Sequence, residues 1–197
     1  MKHCRESLLD QATDLFWEKG YRGVSIKDLV KQTGVLAGSI YSCFGNKDGI
    51  YTECLHHYAS KVSVFYVRAE QAEGPLQQIE ALFEELIRDV ISDAQNRGCF
   101  VVNGLLEIAQ EKPEIQKVLR GYVSWSEGWI ESRLRQAQEQ GQIEPDVDAA
   151  ELANLLFGIV FAVRVKTRAG ESEEKIRRYV EQMVSALLGP VRCDSAA

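Results

Sequence analysis

Thr33-Gly34-Val35-Leu36-Ala37-Gly38-Ser39-Ile40-Tyr41-Ser42-Cys43-Phe44-Gly45-Asn46-Lys47-Asp48 is the stretch that decides how this chain folds. Gly34 supplies the positive φ that ends a helix without a Cβ penalty. Val35 and Ile40 give the short segment after it an inward face, and Tyr41 falls outside that face. Asn46 has the chemistry of an N-cap, with Lys47 and Asp48 in the first turn it opens. A glycine turn, a very short helix and a capped restart place two helices against each other across a tight corner.

Outward from this stretch the sequence reads as helix after helix. The first carries Leu8, Leu9, Ala12, Leu15 and Phe16 on one stripe and stops at Gly20. Ser25 reads as the N-cap of the second, and Asp28 three residues on makes a weaker form of the capping box. A fourth, longer helix runs through Ile50, Cys54, Leu55, Tyr58, Val62 and Phe65 to a break at Gly74-Pro75. Ile79, Leu82, Phe83, Leu86, Ile87, Val90 and Ile91 mark the next, which breaks at Arg97-Gly98. A short apolar segment follows at 99–109, then a long helix over 113–139 and a turn from Gly141 to Pro145. Asp148 caps a helix that is apolar nearly all round between Leu152 and Val163. Ser172 caps the last, striped by Ile176, Tyr179, Val180, Met183, Val184, Leu187 and Leu188. The expected fold is all-α, with about nine helices. A three-helix head over residues 1–47 precedes a larger helical domain over 48–197.

Composition narrows the function classes. At 197 residues and 45% apolar the chain can bury one or two cores, and it has no apolar run long enough to span a bilayer. Acidic residues interrupt the N-terminus before a signal-peptide core can form, so a soluble, cytoplasmic protein is expected. The five cysteines are scattered without CxxC spacing, which argues against a disulfide framework or a zinc site. The net charge of −6 is uneven. Residues 1–50 carry seven basic and six acidic side chains, and the remainder carries 16 and 23. A near-neutral head on an acidic body still binds phosphates where its bases share a face.

Two helices across a tight turn are also a DNA-reading device, the second lying in the major groove while the first braces it. Small residues on the approach surface, Ala37, Gly38 and Ser39, let that helix sit close. Tyr41 offers a phenol to a phosphate, and Ser25 and Lys47 stand at helix N-termini, where free amides already favour an anion. Ser42 completes the expected DNA-binding set. With few polar groups for base edges, readout is expected to rest on Ser39, Tyr41, Ser42 and apolar contact with thymine methyls. Lys2 and Arg5 read as a disordered, solvated terminus, with backbone or minor-groove contacts as the alternative.

On Ala12, Phe16, Gly20-Tyr21, Ser25-Ile26, Asp28-Leu29-Val30, Thr33-Gly34-Val35, Gly38-Ser39-Ile40-Tyr41, Phe44 and Asn46-Lys47-Asp48, the chain resembles the tetracycline-repressor (TetR) family of bacterial transcription regulators. The match is close from Leu9 to about Leu55. The resemblance implies a homodimer whose last two helices form a four-helix interface, a ligand cavity in the larger domain, and repression of a double-stranded DNA operator released by a small molecule. The chain departs from the pattern at Leu36, where Ser or Thr is frequent, at Ala37, where Lys or Arg is, and at Cys43, where His or Tyr is. Leu36 has no side-chain oxygen with which to cap the recognition helix.

Dimerisation also has a physical basis. The 152–163 segment is too apolar for a helix with one wet face, and Gly158 permits close helix approach. Leu155, Ile159 and Val163, with Tyr179, Met183 and Leu187, are the expected twofold interface. Phe100, Asn103, Glu107, Tyr122, Trp125, Trp129 and Phe161, with Phe83, Phe157 and Arg164 nearby, are the expected surround of an effector pocket. Asn103 and Glu107, four apart on one helix face, are its polar groups. Arg97-Gly98-Cys99-Phe100-Val101-Val102-Asn103 resembles the Gly-Cys-x-x-x-Asn segment of one TetR subgroup. This opens an alternative in which Cys99, near a helix start, senses electrophiles or oxidants.

Catalysis finds little support. The sequence contains no P-loop, GxGxxG or HExxH, and the adjacent His56 and His57 point to different sides of a helix. Trp125-Ser126-Glu127-Gly128 lacks the first glycine and the strand of a nucleophile elbow. No enzyme activity, cofactor or metal is expected. A helical interaction domain without specific DNA binding is the remaining alternative.

Overall fold

The computed structural model describes residues 2–93, 95–108 and 110–193. These form nine α-helices in chain order: α1 (Lys2–Lys19), α2 (Ile26–Thr33), α3 (Ala37–Phe44), α4 (Lys47–Ala69), α5 (Pro75–Ser92), α6 (Phe100–Glu107), α7 (Pro113–Glu139), α8 (Ala149–Arg168) and α9 (Glu173–Leu188). A single 3₁₀ turn over Gly189–Val191 follows, and the one β-bridge among the described residues joins Ile143 to Arg192. No helix among them is long and apolar enough to cross a membrane.

The ends of these helices follow local chemistry. Gly34, at φ 70°, ends α2 and donates its N–H to the Val30 carbonyl. Asp148 accepts from the N–H groups of Ala150 and Glu151 at the start of α8, and Ser172 caps α9 through Lys175. Pro75 sits in the first turn of α5, where its missing N–H is not needed.

Contacts divide the chain into two compact units. The first comprises residues 1–62 and 99–122, the second 63–98 and 123–197. Residues 47 and 48, where the head was expected to end, lie in the first turn of α4 and inside the first unit.

The first unit is built on aromatics. Tyr51, 1% exposed, meets Phe16, Tyr21 and Phe100 edge-on, with ring centroids 5.0, 5.1 and 5.2 Å away. Tyr58 packs on Trp17 in the same way at 5.0 Å. Helix α6 can come this close because of Gly104. A Cβ there would stand 2.8 Å from the Tyr51 hydroxyl. Leu29 of α2 and Ile40 of α3 are fully buried in the same core. Arg5 belongs to α1, where its exposed side chain pairs with Glu53 and lies over the Phe44 ring, so it is solvated but helical.

The second unit packs α5, α8 and α9 together. Ile79, Phe83, Leu86 and Ile87 of α5 are buried, as are Leu156, Ile159 and Val163 of α8 and Ile176, Val180 and Leu188 of α9. Helix α8 is apolar on more sides than the single chain buries. Leu155 and Val165 are half exposed, and Gly158 between them is exposed.

Candidate nucleic-acid interface

The interface begins with a corner held rigid from both sides. Ser25 and Asp28 form a full capping box: the Asp28 N–H donates to the Ser25 hydroxyl oxygen at 3.2 Å, and the Ser25 N–H to the Asp28 carboxylate at 2.8 Å. These bonds from Ser25 hold the Asp28 carboxyl below its ordinary pKa. At the other end of α2 the Thr33 hydroxyl donates to the Leu29 carbonyl at 2.7 Å and accepts from the Val35 N–H at 3.2 Å, bridging the turn. Helix α3 then runs eight residues to Gly45, whose φ of 77° closes it.

Burial sorts the α3 side chains. Ile40 is fully buried, and Ala37 and Phe44 are half-buried beside it. Gly38, Ser39, Tyr41, Ser42 and Cys43 are exposed, as is Leu36 just before the helix. The proposed contact residues of α3 thus fall on its free side, with Ala37 at the edge of the packed face. No residue from Ala37 to Phe44 is charged, and Leu36 makes no side-chain cap.

Lys47 stands in a different environment from the one the sequence suggests. Its ammonium lies 4.2 Å from the centre of the Tyr21 ring, and it is half-buried. Burial pushes its pKa below the ordinary lysine value, against the opposing pull of Glu107 and Asp48. The neighbouring Asp48 accepts from the Tyr21 hydroxyl and from Lys112. Burial raises the Asp48 carboxyl, but these two donors outweigh it and leave the pKa lowered. Asn46 caps α4 by accepting the Gly49 N–H at 2.9 Å.

Three residues that sequence reasoning did not place here complete the head. Glu107, at the end of α6, accepts the backbone N–H groups of Tyr21 and Arg22 in the α1–α2 turn. Glu111 pairs with Arg22, and Lys112 with Asp48. They lie 64 to 89 residues from their partners along the chain, so no local motif announces them.

The expected effector residues are divided between the two units. Phe100, Asn103, Glu107 and Tyr122 belong to the first. Phe100 is buried in its aromatic core, Asn103 is half-buried, and the Tyr122 hydroxyl lies 2.5 Å from Nδ1 of His56. Burial raises the Tyr122 hydroxyl to about 12. Trp125, Trp129 and Phe161 belong to the second. Trp125 is half exposed and packs edge-on against Tyr66, Trp129 donates to Glu70 at 3.0 Å, and Phe161 packs on Phe157. Arg164 is buried and pairs with Asp89 at 2.6 Å. Separately, α5 and α9 enclose a groove of about 280 Å³ lined by Phe83, Val180, Val184 and the ion-paired Glu80 and Arg192. Cys99 is the N-cap of α6, half-buried, with the Tyr58 hydroxyl 3.6 Å from its sulfur.

Of the expected dimer residues, Leu155 is half exposed, and Tyr179, Met183 and Leu187 are half-buried on α9. Ile159 and Val163 are already buried inside the chain, at 1% and 0% exposure. They support the free face of α8 from behind.

Known proteins agree with this architecture. Residues 8–54 match the model of "Bacterial regulatory proteins, tetR family", and residues 75–183 match "Tetracyclin repressor-like, C-terminal domain". The HTH-type transcriptional repressor ComR of Escherichia coli (strain K12) is 29% identical over 180 residues, covering 87% of this chain and 83% of that protein. A cysteine mutant of the TetR family transcriptional regulator CifR, complexed with 26-base-pair operator DNA, superposes with a TM-score of 0.84. It is 27% identical, over 92% of this chain and 96% of that one. A TetR transcriptional regulator from Chloroflexus aurantiacus J-10-FL shares the fold with a TM-score of 0.87 at 22% identity, over 98% of this chain and 100% of that one.

Proposed function

For a chain that belongs to the TetR family of bacterial regulatory proteins, we propose a homodimeric repressor that holds a palindromic operator and leaves it when a small molecule binds. The chain is a DNA-binding transcriptional regulator. The observation that carries the finer reading is the braced α2–turn–α3 corner, whose second helix leaves Gly38, Ser39, Tyr41 and Ser42 free. Residues 1–47 serve as the reading head and 48–197 as the part that dimerises and takes the effector.

In this proposal the Tyr41 hydroxyl and the N-terminus of α3 meet phosphates, and Ser39 and Ser42 face base edges. Ser25 and Lys47 position the head at its flanks. The dimer forms through the free face of α8, at Leu155, Gly158 and Val165, together with Tyr179, Met183 and Leu187 of α9. Pairing two such faces buries apolar surface that water otherwise covers and sets two heads on half-sites about one helical turn apart. Trp125, Trp129 and Phe161, which all belong to the second unit, are retained as effector contacts, while Phe100, Asn103 and Tyr122 are left to the first unit. Glu107 is assigned first to the α1–α2 turn, because both its carboxylate oxygens are engaged there. The protein works in the cytoplasm, where the DNA is, and no catalytic role is assigned to it.

Selection of bound fragments from genomic DNA, followed by titration of the recovered site against salt, tests this. Preference for one inverted repeat, with affinity falling as salt rises, is the expected result. Equal binding to random DNA, with and without candidate effectors, would remove it. A second reading, in which a thiol triggers release, rests on Cys99 standing at the N-cap of α6 without being fully buried. Release of Cys99→Ser from DNA by the same oxidant would exclude it.

A further inference from the structure

Leu36 has neither of the two roles its place in the head offers, a helix cap or a buried contact. It occupies the N-cap of α3 with extended backbone (φ −62°, ψ 143°) and contributes no cap hydrogen bond. Ser, Thr, Asp or Asn at this position would satisfy a free amide, so a leucine here forgoes stability in the helix. It gains nothing by packing in return. Its side chain is 73% exposed, among the most exposed large apolar residues of the described chain. An apolar side chain that neither caps nor packs is free to meet a partner.

Its position says which partner. The N-terminal residues of a recognition helix are those that meet base edges. Leu36, Ser39 and Cys43 are spaced three and seven apart along the helix path, and all three are exposed. Helix α3 from Ala37 to Phe44 offers no Arg or Lys for guanine and no Asn or Gln for adenine, so the usual bidentate pairs are absent from it. Among the four bases only thymine presents an apolar group, its C5 methyl, in the major groove.

We infer that Leu36 reads the C5 methyl of a thymine in each half-site and is a specificity-determining residue of this head. The inference rests on α2 and α3 being the DNA-reading unit, as proposed above. Burying one methyl against Leu36 excludes water from both apolar groups, an effect worth about fourfold in affinity per methyl. The site is thereby marked by a methyl group where other heads use a hydrogen-bond pattern.

The test uses the full-length protein and the DNA site recovered by selection. Each thymine is replaced in turn by uracil, which removes the C5 methyl and leaves the base-pairing edge unchanged, and binding is followed by fluorescence anisotropy at fixed salt. The expected result is one position per half-site where uracil weakens the wild type about fourfold. Leu36→Ala and Leu36→Ser lose that difference while keeping the salt dependence of binding. The serine variant also supplies the missing cap, so its melting temperature does not fall, and lost discrimination cannot then be ascribed to a damaged helix. Selective binding with no uracil effect at any position overturns methyl readout and leaves the regulator standing. A full uracil effect retained in both variants overturns the assignment to Leu36. Loss of all sequence preference in the wild type overturns the regulator reading itself.

Discussion

The carboxylate of Glu107 receives the backbone N–H groups of Tyr21 and Arg22, each at 2.8 Å, across more than eighty residues of chain. The two amides lie in the turn that joins α1 to α2, so the end of α6 fixes the angle at which the reading corner begins. Hydrogen bonds to a charged acceptor are worth about 1.5–3 kcal/mol. Glu107→Ala is expected to lower the stability of the first unit by about 2 kcal/mol in urea denaturation, and to weaken operator binding as well. Glu107→Gln, which keeps one acceptor oxygen, should lie between. Wild-type stability in both variants would show that water replaces the carboxylate without loss.

Gly20 supplies an independent check on the same contact. Its φ of 75° disfavours any side chain, and a Cβ there would stand 2.8 Å from Oε2 of Glu107. Gly20→Ala should therefore destabilise through two separable terms, strained backbone and collision with the carboxylate. In a Glu107→Ala background only the first remains, so the alanine at residue 20 should cost less there. A double-mutant cycle by chemical denaturation reads the difference, and strict additivity would mean that the two residues do not interact.

Tyr41 and Lys47 are both proposed phosphate contacts, and their surroundings separate what each substitution does. Tyr41 is 51% exposed, so Tyr41→Phe and Tyr41→Ala should leave the melting temperature within about 2 °C while reducing DNA affinity. Lys47 lies over the Tyr21 ring and is half-buried. Lys47→Ala should thus weaken DNA binding and also lower stability, by about 0.5–1 kcal/mol. Paired melting and binding curves distinguish the two, and unchanged affinity in both variants would remove these contacts from the interface.

The scaffold of the head was legible because its signals are local. Ser25 with Asp28, Gly34, and Asn46 act on atoms within four residues of themselves, and each does in space what its type suggests in sequence. Ile40 at zero exposure and Tyr41 half exposed follow from helical period alone. Glu107 was not legible in this way. Its spacing from Asn103 suggests a polar pair on one face of α6, but its partners are backbone amides of a distant turn, which carry no side-chain signature. For Ile159 and Val163 the limit is different. Apolar composition says that a helix is covered, but it does not distinguish the chain's own core from a second copy.

Asp10 links α1 to α4 by accepting from Lys61 and lying 2.7 Å from Nε2 of His57. The Lys61 bond first, and the His57 contact after it, hold the Asp10 carboxyl below the ordinary carboxylate range. A carboxyl with a depressed folded pKa contributes stability that is full above the unfolded value. That stability is lost as pH falls through the folded value. The melting temperature should therefore be insensitive to this group at neutral pH and decline once pH drops below about 4. Asp10→Asn should lower the neutral-pH plateau and flatten this part of the acid limb. An acid limb of unchanged slope in the variant would place the sensitivity on other carboxyls.

The free face of α8 gives the sharpest separation of fold from assembly. Leu155 is half exposed and Val163 is fully buried, although both lie on one apolar helix. Leu155→Arg should leave the chain folded and convert a dimer into monomers, because the guanidinium remains hydrated in one copy and would be stripped of water between two. Val163→Arg should fail to fold at all, since it places a charge in the core of the second unit. Gly158 refines the test. A Cβ there meets nothing within 4 Å inside the chain, so Gly158→Leu should be silent in the monomer and obstruct only the close approach of a second helix. Sedimentation velocity with circular dichroism reads both properties together. A fully dimeric Leu155→Arg and a fully dimeric Gly158→Leu would move the interface off this face. A monomeric, folded pair of variants with DNA affinity reduced at least tenfold would tie assembly to operator binding, since a single head then loses the second half-site that linkage had supplied.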